Sequence, residues 1–154
     1  WAALLTFFNI YGPRQDVSNP YSGVVTQFID TALSGKALTI YGDGQQTRDL
    51  VYIDDAIDAY MLVAKLYDDS CFAPGVYNVG SGKEKSINDL AKEINRLTNN
   101  HRENKYKESG KGDIRSSCAA IDKITSIGFK PEVNLQAGLK RVIDAYRLSG
   151  KKII

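Results

Sequence analysis

Arg48 is the residue of this sequence whose type and setting point most directly to chemistry. It stands in the stretch YGDGQQTRDLVYIDD, residues 41–55, between a glycine-bounded turn and a strand-like run. A guanidinium held at the end of a rigid strand can fork onto a phosphate through two parallel hydrogen bonds. An ion pair with Asp49 or Asp43 is the alternative use of the same charge. Tyr41 and Tyr52 each offer either a flat face for a base or a ring for the core. Asn9 closes an apolar run, where strands of open α/β sheets meet their ligand crevice; a turn-forming asparagine ahead of Gly12-Pro13 is its plainer role.

The carboxylates Asp43, Asp49, Asp54, Asp55 and Asp58 form an acidic series of the kind hard cations use. Helix-start electrostatics accounts for Asp54, Asp55 and Asp58 without an ion, so no metal site is expected. Several catalytic templates are absent. His101 is the single histidine, which rules out a His-based triad or a two-His metal site within one chain. There is no G-x-S-x-G and no H-E-x-x-H. GVYNVG at 75–80 has phosphate-loop spacing but continues Ser81-Gly82 where Lys-Ser/Thr is required. No G-x-G-x-x-G opens a helix, so the dinucleotide fingerprint is missing as well.

The elements that must position these residues follow from periodicity. AALLTFFNIY, residues 2–11, is an unbroken apolar and aromatic run of the sort found in strands buried on both faces of a parallel sheet. RQDVSNPYSG reads as a long loop. Val24, Val25, Phe28, Ile29, Ala32 and Leu33 recur at helical spacing and Gly35 is placed for a left-handed cap. ALTIY at 37–41 predicts a short strand that Gly42-Asp43-Gly44 turns back onto a second strand, DLVYI. Asp54 or Asp55 can cap the next helix, with Ala56, Ile57, Tyr60, Met61 and Ala64 on its apolar face. GVYNVG is another strand. Ser86 with Asp89 resembles a capping box ahead of Ile87, Leu90, Ala91, Ile94 and Leu97. A short strand is expected around Tyr106, then a helix through Ile121, Ile124 and Ile127 stopped at Gly128, and a last one through Leu135, Leu139, Val142, Ile143 and Tyr146. Strands alternating with helices define an α/β fold.

The bulk numbers set bounds. The chain has 154 residues, 43% of them hydrophobic, enough for one core and one domain. Lys and Arg exceed Asp and Glu by two and are spread along the chain, so no nucleic acid partner is expected. Cys71 and Cys118 are far apart, which predicts free thiols at least partly buried. No apolar run approaches the ~20 residues of a membrane span, and no leader is visible, so the expectation is no membrane association and a cytoplasmic location. The start WAALL, without an initiator Met and already inside an apolar run, reads as part of a longer protein.

FFNIYGPRQDVSNPYSGVVTQFI and GKALTIYGDGQQTRDLVYIDDAIDAYMLVAK together resemble the C-terminal half of the NAD-dependent sugar-nucleotide epimerase/dehydratase family, the extended branch of the short-chain dehydrogenases. GVYNVGSGKEKSINDLAKEI and KGDIRSSCAAIDKITSIGFKP carry the resemblance over nearly the whole chain. It implies a substrate lobe joined to the last strands of a Rossmann-type parallel sheet, with residues 1–12 and 49–82 on the Rossmann side and 13–48 and 83–154 mainly in the substrate lobe. NAD would be held mainly by an N-terminal Rossmann half. The substrate would be a nucleotide-diphosphate sugar, and the full-length protein a homodimer.

The resemblance also implies roles. Asn9 would contact the substrate near its pyrophosphate, main chain at Gly23 and Val24 would meet the base, Tyr41 would line the base pocket, Arg48 would grip the diphosphate and Asp113 would approach the ribose. Phe8 would lie beside the nicotinamide. Two departures stand out. Gly110 occupies the place of a second phosphate-binding arginine, with Lys111 beside it as a substitute point charge. No tyrosine is followed by lysine four places on, so the Tyr-x-x-x-Lys dyad of the family is absent and no catalytic residue is assigned. The loop RQDVSNPYSG resembles that of UDP-hexose epimerases, which favours epimerase over dehydratase; a non-catalytic binding module is the other class.

Overall fold

A computed structural model of the chain describes residues 2–16, 23–68, 74–110 and 112–148. The loop at 14–23, Cys71 and Lys111 thus lie partly or wholly outside the described residues.

The apolar run at the start forms two strands, β1 (Ala3–Phe7) and β2 (Asn9–Tyr11), separated by Phe8 alone. β1 pairs in parallel with β5 (Gly75–Val79), and β2 pairs in parallel with β4 (Thr47–Tyr52). Burial on both faces is not what the run shows. Leu4 and its register partner Val76 are 61% and 54% exposed, so one face of this pair is uncovered among the described residues. The opposite face packs into a core of Ala59, Tyr77, Val79, Ile124 and Phe129, with Ala3 and Leu5 against it.

The predicted hairpin between residues 37–41 and 49–53 does not form. β3 (Thr39–Tyr41) pairs in parallel with β7 (Lys105–Lys107), the strand foreseen around Tyr106. β4 lies between β2 and β6 (Glu84–Ser86), antiparallel to the latter, with Arg48 opposite Lys85. Glycine turn chemistry permits a hairpin, but the 42–46 loop is held by a distant segment: the amides of Ile87 and Asn88 donate to the carbonyls of Gln46 and Gly44.

Helix α1 (Val24–Leu33) starts at Gly23 and ends before Gly35, which takes the left-handed conformation expected. α2 (Ile53–Asp68) begins one residue ahead of the proposed caps, so Asp54 and Asp55 sit inside its first turn instead. Their carboxylates reach outward: Asp54 pairs with Arg141, and buried Asp55 accepts the amides of Glu132 and Val133 at 2.9 and 3.2 Å. α3 (Ile87–Thr98) has the foreseen cap, the Asp89 amide donating to Ser86 Oγ at 3.0 Å. α4 is a short turn (Asp122–Thr125) and α5 (Leu135–Leu148) is the last helix.

α1, α3 and α5 pack with Tyr11, Leu38, Ile40, Leu50 and Tyr52 into the larger core. Tyr11 and Tyr52, neighbours across β2 and β4, meet edge to face at 5.5 Å. Burial first, and then the nearby Tyr52 and Asp55, push the Tyr11 phenol well above its usual range. Cys118 is exposed, contrary to the expected burial, while the next residue, Ala119, is buried.

Candidate functional site

The site is built around the middle of β4. Asp49 is fully buried beneath it, and its carboxylate is the frame on which the surrounding loops hang. It accepts the Ser81 amide at 2.7 Å, the Ser81 hydroxyl at 2.6 Å, and the amides of Gly82 and Ala119 at 3.0 Å each. A buried carboxylate with this many donors is satisfied by hydrogen bonds and needs no ion. Its own main-chain carbonyl accepts from Asn9 Nδ2 at 3.0 Å. Asp49 is therefore neither a metal ligand nor the partner of Arg48.

Arg48 emerges on the other side of the strand. Its Nη2 lies 2.8 Å from Asp113, and its Nη1 donates to the carbonyls of Thr47 and Ile114 at 2.8 and 2.6 Å. The ion pair anticipated with Asp43 or Asp49 is made with Asp113. Asp43 belongs to Arg115, 2.8 Å away. The two pairs lace the glycine turn and β4 to the segment 113–115, and the Thr47 amide adds a bond to the Arg115 carbonyl at 2.9 Å. Hydrogen bonding from Arg115 first, and from the Gln45 amide second, holds the Asp43 carboxyl below the ordinary aspartate range.

Between these two segments lies an open pocket of about 260 Å³, lined by Gly42, Asp43, Gln46, Ser109, Asp113 and Arg115 among others. Gln46 Nε2 donates to the Tyr41 carbonyl at 2.6 Å, while its buried Oε1 has no partner. Tyr41, next to Gly42 of this pocket, is 54% exposed. Gly44, at φ +73° with Asn88 packed where a Cβ would stand, keeps the turn tight against α3.

Of the residues singled out from sequence, the structure joins Asn9, Arg48, Asp113 and Tyr41 in one connected region, through Asp49, the pocket and Gln46. Gly23 and Val24 stand at the start of α1, and no described hydrogen bond ties them to that region. Phe8 is half-buried at the joint between β1 and β2, its amide donating to the Val79 carbonyl at 2.9 Å. Gln46, Asp43 and Arg115 were not foreseen as site residues. No local signal marked them, because the Arg48–Asp113 and Asp43–Arg115 pairs join residues 65 and 72 positions apart. Among the described residues no cluster of His, Cys, Asp and Glu could hold a metal ion, and no helix is long and apolar enough to cross a membrane.

Parallel strand pairs with helices packed on them describe a Rossmann-type α/β protein. A family model described as the NAD dependent epimerase/dehydratase family matches residues 2–80, and the chain belongs to that family. It is 34% identical, over 94% of its length, to a UDP-N-acetyl-alpha-D-glucosaminuronate decarboxylase of Bacillus cytotoxicus. Its fold matches a UDP-glucose 4-epimerase from Thermotoga maritima crystallised with UDP-glucose, at TM-score 0.83, 35% identity and 97% of this chain. A UDP-N-acetylglucosamine 4-epimerase from Methanobrevibacter ruminantium, in complex with UDP-N-acetylmuramic acid, matches at TM-score 0.87, 34% identity and 96% of this chain. The chain spans about half the length of these relatives, covering 46%, 47% and 46% of them in turn.

Proposed function

We propose that this chain is the nucleotide-sugar-binding portion of an NAD-dependent nucleotide-sugar epimerase, a UDP-hexose 4-epimerase. The observation that carries this reading is Arg48, near the start of β4, bonded to Asp113 of the polar pocket and two residues along the strand from Leu50, the register partner of Asn9. In it the base lies against Tyr41, the ribose meets Asp113, and Arg48 turns its fork to the diphosphate with Asn9 beside it. Gly23 and Val24 contribute main chain to the base from the start of α1. The similar proteins that bind or act on UDP-sugars support this choice of ligand.

NAD, when bound, accepts a hydride from a sugar carbon and returns it. The residues present fit one wall of its site only: Phe8 offers a half-buried ring next to Phe7, which is 37% exposed, and the sequence supplies no glycine-rich phosphate cradle. The cradle and the Tyr-x-x-x-Lys acid–base pair belong, in this reading, to another segment of the full-length polypeptide. Residues 1–12 and 49–82 form its cofactor side, and 13–48 and 83–154 mainly its substrate lobe. The 154-residue chain alone is then inactive, and at most a weak binder of nucleotide sugars, because its crevice is open on one side. The cytoplasm and a homodimer complete the proposal.

A 4,6-dehydratase is the second reading, and a UDP-N-acetyl-alpha-D-glucosaminuronate decarboxylase is also among the similar proteins. The test is titration of UDP-, dTDP- and GDP-sugars against the full-length polypeptide and its Arg48→Ala variant. A tenfold or larger loss of UDP-sugar affinity, about 1.4 kcal/mol, is expected in the variant. Equal affinity in the two proteins refutes the site.

A further inference from the structure

We propose that Lys83 and Lys85 form a second cationic hold on the diphosphate, working beside Arg48; this rests on the reading of Arg48 as the diphosphate-binding residue. The starting point is the β4–β6 ladder, in which Lys85 is the direct register partner of Arg48. Directly opposed residues of an antiparallel pair point to the same face with their Cβ atoms roughly 5 Å apart, and like charges there repel. Such a pair is favourable when an anion lies between the two charges.

Arg48 already shares its charge with Asp113, through one nitrogen. Neither Lys83 nor Lys85 is in an ion pair with any described residue, and both side chains are exposed. Both line a second pocket, about 240 Å³, that includes Leu50, two residues along β4 from Arg48. Leu50 is in turn the register partner of Asn9, so the lysines, Arg48 and Asn9 border one stretch of the sheet. The acidic groups nearby do not cancel the charge. Glu132 is one carboxylate against two lysines, and Glu93, within electrostatic reach of Lys85, is already gripped by Arg96 at 2.6 and 3.1 Å.

The main chain at Lys83 is also held in position. The Lys83 amide donates to Ser81 Oγ at 3.2 Å, and that hydroxyl is bonded to buried Asp49. Gly110, next to Ser109 of the first pocket, brings no side chain, and open space surrounds the place where one would start. A diphosphate carries more charge than one guanidinium already bound to a carboxylate can balance. Two ammonium groups, one on β6 and one just before it, supply the remainder as point charges, without the directional fork of arginine.

The test compares UDP with UMP by calorimetric titration of the full-length polypeptide, using the K83Q/K85Q double variant, a K83R/K85R variant and Arg48→Ala. The double glutamine variant is expected to bind UDP about tenfold more weakly and UMP within about twofold of the parent, with a weaker salt dependence; the arginine variant keeps UDP affinity. UDP affinity unchanged in K83Q/K85Q, while Arg48→Ala binds weakly, overturns the lysine role and leaves the site reading standing. UDP affinity unchanged in both overturns the site reading and the lysine role together.

Discussion

The Arg48 guanidinium and the Asp113 carboxylate meet at 2.8 Å across 65 residues of chain, and Asp113 is one of the residues that line the polar pocket. A ligand that takes a bond from Arg48 therefore does so beside an existing carboxylate. The pair is partly solvated, the side chains being 19% and 33% exposed, so its direct share of folding stability is small. Asp113→Asn is expected to change unfolding free energy by less than about 1 kcal/mol. The same variant should lower nucleotide-sugar affinity several-fold, read by titration of the full-length polypeptide. Loss of stability with intact affinity would reverse the assignment.

Asp49 makes the opposite prediction. Its replacement by alanine strands three amides and a hydroxyl that now converge on a fully buried carboxylate. Each unsatisfied buried donor costs roughly 1–3 kcal/mol, and solvent entering the void recovers part of that, so a loss of about 4 kcal/mol or more is expected in urea unfolding. Asp49→Asn retains one acceptor oxygen and should lose less.

Gly138 sets helix propensity against packing. Alanine gains about 1 kcal/mol over glycine in a helix interior. Here a Cβ would lie 2.9 Å from the Tyr52 ring and closer still to the Tyr11 oxygen. Forcing α5 away from β2 and β4 costs roughly 1–3 kcal/mol, so the clash wins and Gly138→Ala lowers the melting temperature. Tyr11→Phe in the same background removes the offending oxygen and should restore part of the loss.

The Asp43–Arg115 pair is legible by titration. Because the folded-state pKa of Asp43 is lowered from 3.8, whatever stability it contributes is present above that value and is lost as pH falls through the folded pKa. Carboxyl chemical shifts should place the Asp43 midpoint below 3.8 in the parent and nearer to it in Arg115→Gln. A midpoint that does not move in the variant removes Arg115 as the cause.

Much of this architecture was readable from local signals. The helix stripes through Val25–Ala32 and Leu90–Ile94, the cap at Ser86 and the strand at 75–79 all follow from spacing or from side chains reaching a few residues along. What escaped was pairing at long range. Gly42-Asp43-Gly44 carries the chemistry of a hairpin turn, but parallel partners for β3 and β2 lie far along the chain, where no local signal points. Asp49 and Asp55 escaped for the same reason: a carboxylate that satisfies amides 32 to 78 residues away looks, in sequence, like any helix-start or surface acid. An ion pair for Arg48 was readable from its local setting between carboxylates, but its actual partner, Asp113, lies 65 residues away and was not.

β1 and β2 are one extended run with only Phe8 between them, yet they belong to different sheets. There is no slack loop at that junction to absorb a displacement. Any swing of the first sheet against the second must be taken up in the torsions of Phe8 and its neighbours, where the bond to Val79 resists it. The molecule thus has a one-residue hinge pin, and whatever bends it also turns Asn9, the next side chain along.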